Sequence, residues 1–85
     1  MKITVYVTEN CVQCNSTKRY LDRHDVPYEM VNLNENADAM AMVKEMGYVQ
    51  APVVVAGNKH WSGFRLDQIK NLIAEVHLEN GQEKK

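Results

Sequence analysis

The chain has few of the features that mark secreted, membrane-bound or nucleic-acid-binding proteins. Its 85 residues include only two cysteines, and these stand so close together that a bridge between them would do little to stabilise a secreted fold. No apolar run is long enough to cross a membrane, and Met1-Lys2 leads into an alternating apolar pattern rather than a signal peptide. The net charge of −1 gives no general attraction for nucleic acid or an anionic membrane. We therefore expect a cytoplasmic monomer with neither kind of partner.

The length and composition limit the chain to one small domain. A chain of 85 residues with 45% apolar content builds one modest core. The last residues are polar and follow the final apolar repeat. We expect a single domain over residues 1–79 and a flexible C-terminal tail over residues 80–85.

What the chain does have is a pair of cysteines in an informative position. Cys11-Val12-Gln13-Cys14 follows the alternating run 3–7 and opens a helical stretch. Helix N-termini carry partial positive charge and free N–H groups, so the pKa of a thiol there falls below its free value of about 8.5. We expect Cys11 to be the nucleophile and Cys14, one helical turn on, to resolve the intermediate as a Cys11–Cys14 disulfide. The arrangement is typical of a redox motif.

Hydrophobic periodicity predicts seven elements in the order β-α-β-α-β-β-α. The predicted strands cover residues 2–7, 28–33, 52–56 and 59–61. The predicted helices cover residues 12–24, 37–46 and 66–78. The first two strands flank a helix and should be parallel, whereas the tight turn at Gly57-Asn58 makes the last two antiparallel. The expected fold is α/β, the thioredoxin fold in its minimal, glutaredoxin-like form, with a four-stranded mixed sheet and three helices.

A proline at the start of the third strand is the second informative feature. Pro52 has no N–H to donate to a sheet ladder, so it suits the first position of a strand. In thioredoxin-like proteins a cis-proline stands at this point and faces the two sulfurs. The backbone of the residue before it is offered to the incoming substrate. We therefore expect a cis Ala51–Pro52 bond facing Cys11.

Three stretches together resemble the NrdH-type redoxins, glutaredoxin-sized proteins that behave like thioredoxins. The stretches are Cys11-Val12-Gln13-Cys14, Ala51-Pro52-Val53-Val54 and Trp61-Ser62-Gly63-Phe64-Arg65. The similarity extends over nearly the whole chain. The family usually continues with proline where this chain has Leu66, which removes a preorganised first helical residue without touching the chemistry. The resemblance implies that the substrate or partner is bound by Val12, Gln13, Ala51, Pro52, Trp61, Ser62, Gly63 and Phe64.

The resemblance also implies the reaction partners. NrdH-type redoxins pass electrons from NADPH, through thioredoxin reductase, to class Ib ribonucleotide reductase, and they need no bound cofactor or metal. The sequence by itself indicates only a dithiol–disulfide carrier. The expected protein is therefore a thiol–disulfide oxidoreductase, with its reductase and its acceptor carried over from the family.

A glutathione-dependent glutaredoxin is the first alternative. Glutaredoxins hold glutathione with a basic residue shortly before the first cysteine and with an acidic residue in a Gly-Gly-x-x-Asp stretch after the last strand. In this chain Thr8 stands at the basic position and Leu66 at the acidic one, with Asp67 one residue late. We therefore expect glutathione to be a poor direct reductant.

A soft-metal chaperone is the second alternative. Such domains also carry C-x-x-C between a first strand and a first helix, and they bind Cu(I) through two thiolates. They continue β-β-α-β, however, and lack the Ala51-Pro52 feature. A structural zinc site would need two more ligands, and His24, His60 and His77 lack paired metal-ligand spacing. We expect no metal site.

Overall fold

The computed structural model describes residues 2–79, which form one four-stranded sheet and three helices. The elements in chain order are β1 (Ile3–Val7), α1 (Val12–Arg23), β2 (Glu29–Asn32), α2 (Ala37–Glu45), β3 (Val53–Ala56), β4 (Lys59–Ser62) and α3 (Leu66–Glu79). The predicted order is confirmed, and no element end differs from its predicted position by more than one residue. The expected tail over residues 80–85 lies outside the described residues. Within residues 2–79, no helix has the length and apolarity needed to span a membrane.

The sheet has the strand order β2-β1-β3-β4. β1 and β2 are parallel, whereas β3 runs antiparallel to both β1 and β4. The parallel pair is the one that flanks α1, as a crossover helix requires. This arrangement confirms the thioredoxin-like fold, and it differs from the β-β-α-β continuation of a soft-metal chaperone.

Alternating strand residues supply two hydrophobic clusters, one on each face of the sheet. The larger cluster joins Val5 and Val54 of the sheet to Leu21 of α1 and to Ile69 and other residues of α3. The smaller cluster joins Val53 of β3 and Leu33, the residue after β2, to Ala39 and Val43 of α2. Two helices thus cover one face and the short α2 covers the other.

Strand directions bring three separate loops to one end of the sheet. Tyr6, near the end of β1, is opposite Val53 at the start of β3. Val53 is in turn opposite Ser62, the last residue of β4. The loop after β1, the loop before β3 and the loop after β4 therefore meet at this end of the sheet. They carry the two cysteines, the Ala51-Pro52 pair and the Gly63-Phe64 pair.

Candidate redox site

The two cysteines are joined as a disulfide at the N-terminus of α1. Their Cα atoms lie 5.2 Å apart, within the range that a disulfide spans without moving the backbone. Cys11 is half-buried, whereas Cys14 is only 1% exposed. Cys11 is therefore the more accessible of the two residues, which supports its predicted role as the nucleophile.

The sulfur of Cys11 is also the N-terminal cap of α1. The backbone N–H of Cys14 donates a hydrogen bond to Cys11 Sγ over 3.1 Å, and the N–H of Asn15 donates to the Cys11 carbonyl oxygen over 3.2 Å. The first turn of α1 contains no acidic residue that would oppose a negative charge on the sulfur. After reduction the same N–H and the helix dipole favour the thiolate form of Cys11.

A chain of hydrogen bonds links the cysteine helix to the other two loops. The Gln13 side-chain oxygen accepts from the N–H of Phe64 over 3.0 Å. The N–H of the neighbouring Gly63 donates to the Pro52 carbonyl over 2.7 Å. The Ala51–Pro52 peptide bond is cis, as the sequence predicted. Gln13 and Gly63 thus tie the first turn of α1 to the residues around this proline.

Gly63 fits this loop because of its backbone conformation and its close surroundings. Its φ is +88°, a left-handed value that favours glycine. A Cβ atom there would lie 3.3 Å from the Gln13 side-chain oxygen, the same atom that accepts from Phe64. A larger residue would therefore press on the hydrogen bond that closes the site.

The predicted partner-binding residues are exposed to very different degrees. Val12 is 78% exposed and Phe64 36% exposed, and Gln13 is also exposed. Ala51 and Ser62 are half-buried, and the Ser62 hydroxyl donates to the Gln50 carbonyl over 3.2 Å. Direct partner contact stays a prediction for these residues.

Trp61, which the resemblance places among the partner-binding residues, is almost fully buried. Its side chain is only 4% exposed and belongs to the larger core cluster, which also contains Cys14. The cause is its position in β4 opposite Val54, on the strand face that α1 and α3 cover. Pro52 and Gly63 are buried as well. Trp61 therefore packs beneath the site as part of the core, and its contact with a partner stays a prediction.

A largely apolar cavity of about 220 Å³ adjoins the site at Ala51. Its lining residues are Thr8, Leu33, Met40, Val43, Lys44, Tyr48, Val49, Gln50 and Ala51. Val49 is almost fully exposed, and Thr8 is the residue at the position where glutaredoxins carry a base. The cavity thus offers apolar surface to a chain that approaches Ala51.

Sequence reasoning missed one buried polar residue beside the cysteines. Among the described residues, Thr17 Oγ1 and Trp61 Nε1 are the buried side-chain polar atoms that lack a hydrogen-bond partner. Thr17 shares the buried stripe of α1 with Cys14 and Leu21. The spacing of these three residues is the signal that would have placed Thr17 in the core.

The described part of the chain brings no three histidine, cysteine or acidic side chains together in a metal-binding cluster. Cys11 and Cys14 are each other's partners, and no third ligand-type residue joins them.

Comparison with known proteins identifies the family. Residues 3–61 match the glutaredoxin family. The glutaredoxin-like protein NrdH of Salmonella typhimurium is 44% identical over 80 residues, which covers 94% of this chain and 99% of that protein. NrdH of Escherichia coli K12 is 40% identical over 77 residues, covering 91% and 95%.

Solved structures agree with this assignment. The NrdH-redoxin of Escherichia coli, described as having a thioredoxin-like activity profile, superposes with a TM-score of 0.83 at 42% identity, covering 85% of this chain and 95% of that one. The thioredoxin-like protein BC3987 superposes with a TM-score of 0.77 at 26% identity, covering 84% and 99%. The chain therefore belongs to the glutaredoxin family and, within it, to the NrdH-type redoxins, with Cys11 and Cys14 as the pair of a thiol–disulfide oxidoreductase.

Proposed function

We propose that this protein carries electrons in the cytoplasm from NADPH, by way of thioredoxin reductase, to the disulfide of a class Ib ribonucleotide reductase. The general activity, a thiol–disulfide electron carrier, follows from the cysteine pair and the NrdH-type relatives. The choice of reductase and acceptor is the proposal. The observation that carries it is the absence of the charged groups with which glutaredoxins hold glutathione.

Two positions around the disulfide lack those charges. Thr8 lines the cavity beside Ala51 and carries no positive charge there. Leu66 is the first residue of α3 and is exposed, so the position at which glutaredoxins carry the acid has no carboxylate, although Asp67 follows it in the first turn of the helix. The nearest acid along the chain, Asp67, has its carboxylate 3.6 Å from Arg65 Nε. A protein reductase needs none of these charges, only access to the disulfide.

The geometry suits stepwise exchange with a protein disulfide. The Cys11 thiolate attacks one sulfur of the acceptor disulfide, forms a mixed disulfide and releases the other acceptor sulfur as a thiolate, which takes up a proton. Cys14 loses its proton and attacks Cys11 Sγ, which releases the second acceptor thiol and leaves the Cys11–Cys14 disulfide. Two electrons and two protons pass to the acceptor. Thioredoxin reductase then restores the dithiol with two electrons from NADPH.

The decisive experiment compares two reducing systems on the same disulfide substrate, insulin or the ribonucleotide reductase. With NADPH and thioredoxin reductase we expect rapid turnover. With NADPH, glutathione and glutathione reductase we expect nearly none. Each charge-assisted hydrogen bond lost from glutathione costs about 1.5–3 kcal/mol, so two lost contacts weaken binding by about two to four decades.

A gain-of-function variant sharpens the comparison. Thr8→Lys with Leu66→Asp restores both missing charges, and an acid at the first position of α3 also interacts favourably with the helix dipole. We expect this variant to gain glutathione-dependent turnover while it keeps its rate with thioredoxin reductase. Efficient wild-type turnover with glutathione and none with thioredoxin reductase would refute the proposal.

A glutathione-dependent glutaredoxin is the second candidate, because one positive charge does border the site. Lys44 lines the cavity beside Ala51 together with Thr8, so a cationic side chain borders the surface that the second candidate would use for a glutathione carboxylate. Lys44→Ala tests this candidate directly. If glutathione is the natural reductant, the variant loses glutathione-dependent turnover and keeps the thioredoxin reductase rate.

A further inference from the structure

Thr17 is a fully buried residue whose hydroxyl has no hydrogen-bond partner in the disulfide form. We propose that Thr17 is a positioning residue for the resolving cysteine: its hydroxyl donates a hydrogen bond to the Cys14 sulfur when the protein is in the dithiol form. In this way Thr17 favours the dithiol over the disulfide and favours the Cys14 thiolate that resolves the mixed disulfide.

The position of Thr17 on α1 supports this role. Cys14 and Thr17 are both buried residues of the helix, 1% and 0% exposed. Residues three positions apart in a helix, as Cys14 and Thr17 are, lie next to each other on one helix face, with Cβ atoms about 5–6 Å apart. Side chains in a helix also lean towards its N-terminus, which brings the Thr17 hydroxyl over the turn that carries Cys14.

The usual alternative for a buried helical threonine is not used here. Such a hydroxyl commonly donates to the backbone carbonyl one turn earlier, yet Thr17 Oγ1 has no partner of any kind. The other orphaned atom, Trp61 Nε1, is a donor only, and Thr17 Oγ1 accepts no hydrogen bond from it. A buried hydroxyl without a hydrogen-bond partner raises the free energy of the state that contains it. For Thr17 that state is the disulfide form.

Reduction breaks the S–S bond and releases the Cys14 sulfur from its fixed place beside Cys11, so that it can turn towards the Thr17 hydroxyl. Disulfide and thiol sulfurs are both weak acceptors, whereas a thiolate accepts strong, charge-assisted hydrogen bonds, so this hydrogen bond is strongest when Cys14 ionises. Two electrons and two protons convert the Cys11–Cys14 disulfide to two thiols. When Cys14 later gives up its proton to attack Cys11, the negative charge develops in a buried site next to the Thr17 hydroxyl. Thr17 keeps its own proton throughout and forms no covalent bond.

The first measurement is the redox equilibrium of Thr17→Val against a glutathione redox buffer, read by alkylating the free thiols. Valine has nearly the shape of threonine without its hydroxyl. We expect the equilibrium to move about tenfold towards the disulfide, which corresponds to a reduction potential about 30 mV more negative. Thr17→Ser keeps the hydroxyl and should restore the wild-type value. Thr4→Val, the same change on β1 of the sheet outside the larger core cluster, should leave the potential unchanged.

The second measurement is the ionisation of Cys14 in a Cys11→Ser background, followed by thiolate absorbance against pH. Adding Thr17→Val should raise the pKa of Cys14 by about one unit, because a tenfold loss of thiolate stabilisation corresponds to one unit. If Thr17→Val does not fold, Thr17→Ala removes the same hydroxyl with less volume and takes its place. An unchanged potential together with an unchanged Cys14 pKa would overturn the proposal, even if the hydroxyl-free variant were more stable in both redox forms.

Discussion

At the scale of single residues, burial separates two chemically identical side chains. Cys11 is half-buried and receives the Cys14 N–H, whereas Cys14 is 1% exposed. A reagent therefore reaches Cys11 more easily, and Cys11 is also the sulfur that the helix N-terminus stabilises as a thiolate. We expect iodoacetamide at neutral pH to alkylate Cys11 first in the reduced protein, as mapped by mass spectrometry of the digested chain. Preferential alkylation of Cys14 would reverse the two roles.

The same assignment predicts opposite behaviour for the two serine variants. Cys14→Ser keeps the nucleophile without the resolving thiol, so it should accumulate mixed disulfides with an acceptor protein. Cys11→Ser leaves only a buried thiol and should form none. Non-reducing gels of each variant with a disulfide substrate give the measurement, and a reducing gel of the same samples is the control.

The sequence predicts the cysteine pair and its two roles, but it does not predict the burial of every residue around the pair. The roles of Cys11 and Cys14 follow from a local pattern, a strand followed by two cysteines at a helix start. Trp61 and Thr17 depend on which strand face or helix face packs against distant elements. Thr17 does have a local signal, its helical spacing from Cys14 and Leu21, but the polar residues around it in α1 obscure that signal. For Trp61, no local pattern tells which face of the short strand β4 is covered.

At the scale of elements, the site depends on contacts between segments far apart in the sequence. The hydrogen bond from the Phe64 N–H to Gln13 joins residues 51 positions apart, and no local pattern predicts such a pair. The element order, in contrast, could be predicted because alternation in β1 and helical spacing in α3 are local signals. Once the elements are known, the strand directions explain why the three site loops lie at the same end of the sheet.

Gly63 provides the test of this loop. Gly63→Ala should destabilise the protein by more than Gly57→Ala, because both positions have positive φ but only Gly63 also has the Gln13 oxygen 3.3 Å from the new Cβ. A left-handed alanine costs about 1–2 kcal/mol, and we expect Gly57→Ala to show about this loss. Gly63→Ala should lose about 1 kcal/mol more, the usual contribution of one hydrogen bond, as measured by urea unfolding of the oxidised forms. Equal losses would show that the Gln13 contact has no effect on stability.

At the scale of the whole molecule, both edges of the sheet carry features that discourage pairing with a second copy. The edge strand β2 is four residues long and begins with Glu29, whose carboxylate lies 3.6 Å from Lys2 Nζ. The other edge strand, β4, is equally short and carries Lys59, which forms an ion pair with Glu75 of α3. Short, charged edge strands are poor templates for intermolecular sheets.

Part of the exposed apolar surface lies next to the two cysteines. Val12 and Phe64 are exposed at the disulfide, and Val49 is exposed beside the Ala51 cavity. A stable dimer through this surface would cover Cys11 and block its attack on an acceptor. A surface of this kind suits transient contact with a reductase and an acceptor in turn, which requires a free monomer between encounters.

We therefore expect sedimentation equilibrium to give the monomer mass of 9.8 kDa at all protein concentrations tested, in both redox forms. If a concentration-dependent dimer appears instead, two variants identify its surface. Met30→Lys places a charge on β2 at a side chain that is 52% exposed, so it should dissociate a dimer formed through that edge strand. Val49→Lys should dissociate a dimer formed through the surface beside Ala51. Only the second kind of dimer would be in conflict with turnover, because it would have to dissociate before Cys11 reaches a partner disulfide.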